Sequence, residues 1–137
     1  MYPKEGVVAI AVITTLFDSE ISDVDIYHLV DKLWKTELFD DYSGDELLTM
    51  VEKFLDIAED EGLGVLFNAA YASLSNDLVP DAFAIAVTML VDDSGVIPTQ
   101  KKDFIQELQQ ALELEEREAQ QIVDEAIADW QQQDKKS

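Results

Sequence analysis

A chain of 137 residues, 47% of them hydrophobic, is long enough to bury one core without disulfides or a structural metal. Its 30 acidic residues against 9 basic ones give a formal net charge of −21, which disfavours nucleic acid and anionic lipid and favours divalent cations or protein partners with basic surfaces. With no cysteine and one histidine, His28, thiolate sites and disulfides are excluded, and a zinc site or serine triad could draw on a single imidazole ligand or base at most. No basic leader precedes the apolar run Val7 to Ile13, and no cleavage site of small residues follows it. No apolar stretch approaches the roughly 18 residues of a membrane span. A cytoplasmic protein with no membrane insertion is expected.

The 5 glycines and 3 prolines fall mostly at positions that punctuate helical periodicity, and no stretch alternates with period two, so the fold class is all-α. A first helix is predicted from about Lys4 to Phe17. It is apolar almost all round between Val7 and Ile13, as a helix surrounded by others must be, and Ala9 and Ala11 let neighbouring backbones come close. Ser22 followed by Asp25 reads as a capping box opening a second helix, whose buried stripe is Ile26, Leu29, Val30 and Leu33 and which reaches about Thr36. Ser43 and Glu46 form a better box at the start of a third helix. Leu47, Val51, Phe54 and Ala58 stripe it, and it ends near Gly62. The fourth, about Leu63 to Leu74, is rich in small residues and should pack tightly.

Pro80 fits the first turn of a fifth helix, and Pro98 falls just inside the start of a sixth, striped by Phe104, Ile105 and Leu108. The apolar phase slips between Leu112 and Glu116, which predicts a kink or turn. A seventh helix follows, with Ala119, Ile122, Val123, Ala126, Ile127 and Trp130 on one face. The polar tail from Gln131 to Ser137 is expected to fray. Across this order runs an internal echo: Ala9-Ile10-Ala11-Val12 with Asp18-Ser19 returns 75 residues later as Ala84-Ile85-Ala86-Val87 with Asp93-Ser94. Over Val8–Leu33 aligned with Phe83–Leu108, 7 of 26 positions are identical. A duplicated helical pair is the reading.

The chain resembles the TerB-like proteins, named for tellurite resistance, and in particular a small stand-alone bacterial group. The resemblance rests on the apolar helix closing in Asp18-Ser19-Glu20-Ile21-Ser22, on Tyr42-Ser43, on Asn68-Ala69-Ala70 with Ala72-Ser73-Leu74, and on Ala82-Phe83-Ala84 leading to Asp93. It implies a single compact bundle of about seven helices in which two helical pairs flank a helical hairpin. Repeat 1 then spans about 4–37, the hairpin about 43–75, repeat 2 about 77–112 and a C-terminal helix about 116–132. It also implies paired acidic turns that hold a divalent cation of the calcium or magnesium type, in proteins tied to stress responses. Carried over, the metal residues are Asp18, Glu20, Asp25 and Asp93. Gly95 and Gln100 stand where the first repeat has Glu20 and Asp25, so the second half of such a site is depleted in carboxylates.

Other roles compete for these residues. Asp25 suits a helix N-terminus on macrodipole grounds alone, and Asp18 suits a turn. Residues 18–29 also miss the EF-hand pattern, with Asp23 at the glycine position and Leu29 at the terminal glutamate position. No nucleophile or tuned acid–base pair accompanies Asp40-Asp41 or Asp92-Asp93, and no enzymatic activity is expected. Two functions stay open: weak divalent-cation binding in a tellurite, metal or stress response, or an acidic protein-interaction module without metal. In the second, an exposed Trp34 or Trp130 would serve as an anchor.

Overall fold

A computed structural model describes residues 2–18, 25–91 and 94–136, with the side chains of 18 and 129–136 outside the description. The described chain is all-α: α1 (Pro3–Asp18), α2 (Ile26–Trp34), a 3-10 turn (Glu37–Phe39), α3 (Gly44–Glu61), α4 (Leu63–Ser73), α5 (Val79–Leu90), α6 (Thr99–Ala111) and α7 (Glu116–Lys136). No strand occurs among the described residues. No helix there is long and apolar enough to cross a membrane.

The bundle is built around α1. Val7 through Val12 have no solvent exposure at all, so every side of that helix is covered, and α3, α4 and α5 supply the cover. Burying each such valine or isoleucine contributes about 1.5–3 kcal/mol relative to leaving it in water. The repeated stretch on α5 is nearly as deep, with Ala86 and Val87 fully buried, Ile85 at 8% exposure and Ala84 half-buried. Thr14, the buried polar residue of this core, donates its hydroxyl to the Ile10 carbonyl at 2.8 Å, so its burial leaves no orphaned group.

Close approach is concentrated at Gly6. A Cβ there would lie 2.9 Å from the Ala70 carbonyl oxygen and 3.2 Å from Leu74, because α4 crosses α1 at this point. Of the small residues of α4, Ala70 is buried in that contact, while Ala69 and Ala72 are exposed, so tight packing uses one alanine and not the whole run. Gly64, on the same helix, has nothing within 4 Å of its would-be Cβ. The same substitution therefore has opposite signs at the two sites. Gly64→Ala should stabilise the fold by up to ~1 kcal/mol through helix propensity. Gly6→Ala should destabilise it by about 1–2 kcal/mol, since a clash with rigid backbone outweighs propensity. Urea denaturation of both variants checks the pair, and stabilisation by Gly6→Ala would remove the close crossing.

The helix ends follow local chemistry. Ser43 and Glu46 make both bonds of the capping box, Glu46 N–H to Ser43 Oγ at 3.1 Å and Ser43 N–H to Glu46 Oε1 at 3.2 Å. Gly62, at φ 98°, closes α3 and opens α4 in a conformation that a side chain would strain. Between α6 and α7, Glu113 takes φ 60° in a Schellman turn, with Glu113 N–H donating to Gln110 O and Leu114 N–H to Gln109 O, both at 3.1 Å. The phase slip in the sequence is this turn.

Three expectations are corrected. Helix α2 is capped by Asp25, which is extended at φ −84°, ψ 94°, and so is not the third residue of a helix begun at Ser22. Aspartate is itself a strong N-cap, and Ser22 lies outside the described residues. Pro98 is the N-cap of α6, one place outside the helix. Helix α7 continues to Lys136, past the expected boundary near residue 132, since no glycine or proline interrupts Gln131 to Lys136.

Candidate functional site

The acidic turns of the two repeats leave α1 and α5, and the structure brings those two helix ends together. Thr15, one turn before the end of α1, places its hydroxyl 3.8 Å from the sulfur of Met89, one residue before the end of α5. Phe17 on the last turn of α1 stacks on Phe104 of α6 with ring centroids 4.3 Å apart, which ties the same end to the second helix of the other repeat. Neither α1 nor α5 has a basic residue in its last turn. The last-turn carbonyls carry the negative pole of each macrodipole, and that polarity favours a cation.

Of the four residues expected to bind metal, Asp18 is the last residue of α1, with its side chain outside the description, and Glu20 and Asp93 lie outside the described residues. Asp25 is exposed and occupied locally: its Oδ1 accepts the His28 N–H at 3.1 Å, and that bond caps α2. One carboxylate oxygen has a structural role, and the other is not engaged by it. Among the described residues no three His, Cys, Asp or Glu side chains form a metal-holding group. The donor chemistry available at the turns is carboxylate and carbonyl oxygen, which suits hard cations of the calcium and magnesium type and not a His/Cys zinc site.

His28 is exposed, as a surface residue should be, and Trp34 is 53% exposed at the flank of α2, beside Gly44. Asp41 approaches Lys4 at 3.7 Å across the surface, and that lysine also lies 5.7 Å from the centre of the Tyr42 ring. Asp41 is exposed, and Lys4 and Tyr42 are half-buried.

Sequence reasoning missed two further features. Tyr71 on α4 donates its hydroxyl to Glu113 Oε2 at 2.6 Å, which clamps the left-handed turn onto the hairpin. The bond to the carboxylate, with a smaller desolvation, raises the Tyr71 pKa above the usual phenol range. Asp81, in the first turn of α5, is raised above its ordinary value by partial desolvation. The second feature is a cleft of about 490 Å³ between α6 and α7. No protein-family model, curated protein or solved structure matches the chain.

Proposed function

We propose that this protein is a non-enzymatic TerB-like helical domain that binds a divalent cation weakly at the shared end of α1 and α5, in a tellurite, metal or stress response. The observation that carries this reading is the Thr15–Met89 contact, which starts both acidic turns from neighbouring helix C-termini that lack basic residues. Two negative helix poles next to Asp18 repel one another, and a bound cation relieves that repulsion. Asp25 contributes through its free carboxylate oxygen.

Thermal melts with Ca²⁺, Mg²⁺, Mn²⁺ and Zn²⁺, each against NaCl at equal ionic strength, test the proposal. A ligand at 100 times its dissociation constant stabilises by about 2.7 kcal/mol, and Asp18→Asn should remove most of that increment. The proposal fails if no divalent ion exceeds the sodium control, or if Asp18→Asn leaves the increment intact.

A second reading is favoured by α2. Tyr27 and Trp34, 76% and 53% exposed, lie one heptad apart on one face, which suits an interaction module anchored by aromatics. Alanine replacement of both, which leaves the core untouched, should abolish partner capture in a pull-down while preserving the melting temperature.

A further inference from the structure

The turn at Glu113 directs α7 away from α6, and α7 packs instead along α5. A cleft of about 490 Å³ is left between α6 and α7. Its floor is Phe83, Ile97 and Ile105, all buried, and its α7 wall is Ala119, Val123 and Ile127, at successive spacings of four. Beside that apolar stripe runs a second one at the same spacing, Glu116, Gln120 and Asp124, which is exposed and forms the rim. Gln106, Gln109 and Lys102 line the cleft from α6. The cleft is thus an elongated apolar trough with an acidic edge along one helix.

We infer that this cleft docks a cationic amphipathic helix of a partner protein. Apolar anchors at i, i+3 or i+4, and i+7 match a trough whose own wall repeats every four residues. The partner's charge is set by this chain: at −21, a second copy would be repelled, while a basic helix is steered in and paired with Glu116 and Asp124. Gln120 Nε2 donates to Asp124 Oδ1 at 3.0 Å and Gln109 Nε2 to the Leu114 carbonyl at 3.4 Å, so these glutamines of the two rims present chiefly their carbonyl oxygens, which suit the donors of a cationic flank. The inference is independent of cation binding at the α1/α5 end, so its test is run in EDTA.

The probe is a synthetic 16-residue peptide with leucines at i, i+3, i+4 and i+7 spacing and lysines on the flanking positions, titrated by fluorescence anisotropy against a scrambled peptide of identical composition. The designed peptide should bind at least about tenfold tighter than the scrambled one. The double variant Glu116→Lys with Asp124→Lys should weaken it about tenfold, whereas Glu118→Lys with Glu125→Lys, the same change of net charge away from the cleft, should leave it nearly unchanged. Val123→Glu should abolish binding, and the exposed charge variants keep the test valid if that substitution perturbs folding. Absence of binding, equal binding of the scrambled peptide, equal loss in both double variants, or amide-shift changes confined to the Tyr27–Trp34 face would each overturn the inference.

Discussion

Ala11→Leu is expected to lower the unfolding free energy by about 3 kcal/mol, with a fall in melting temperature on the order of 10 °C. Ala9→Leu should behave alike. Both alanines are fully buried within a helix that is covered on every side, so three added carbons have no solvent to enter and no flexible neighbour to displace. The internal repeat supplies the control. Ala84, the counterpart of Ala9, is half-buried, and Ala84→Leu should cost under about 1 kcal/mol, whereas Ala86→Leu, at the fully buried counterpart of Ala11, should cost as much as Ala11→Leu. Chemical denaturation of the four variants reads the pattern directly. If Ala84→Leu proves as damaging as Ala9→Leu, the two repeats are more alike in packing than the structure makes them.

That asymmetry marks what a sequence discloses and what it conceals. The central helix, the Ser43–Glu46 box and the Gly62 turn are legible because each is encoded locally, by a hydrophobic run, a side-chain bond three residues long or a residue free to take positive φ. The sequence points to a cap at Ser22 for α2, and only the extended backbone of Asp25 shows that the aspartate is the cap, since composition does not rank two good caps. The Gly6–Ala70 approach depends on where two helices cross, which no local signal specifies. The candidate cation site was half legible. The echo of Asp18-Ser19 in Asp93-Ser94 located two turns, but only the contact between Thr15 and Met89 puts their origins side by side. The cleft announced itself only as a phase slip, since its shape follows from α7 choosing α5 over α6.

The second large effect is electrostatic. Raising NaCl from about 20 mM to about 500 mM should increase the melting temperature on the order of 5 °C, because screening shortens the reach of repulsion below typical spacings of surface charges. Nine basic residues cannot pair 30 acids, and pairs such as Lys35 with Asp31 at 2.9 Å and Lys4 with Asp41 at 3.7 Å lie at the surface and are worth little each. Most of the carboxylates therefore repel in the folded state more than in the expanded chain. Acidification to mildly acid pH should act in the same direction by reducing the net charge. Asp81 adds to it: its carboxyl is raised in the fold, so the folded state binds that proton more tightly, and its contribution is present at low pH and lost as pH rises through the folded value. Asp81→Asn should remove part of the acid-side gain. On the alkaline side, Tyr71 is likewise raised, so the bond to Glu113 persists through neutral pH and is lost as the phenol ionises, an effect Tyr71→Phe should abolish. A melting temperature indifferent to sodium would show that the acids are spaced beyond mutual influence. In that case, a specific rise with Mg²⁺ or Ca²⁺ could no longer be ascribed to general screening and would have to come from a bound ion.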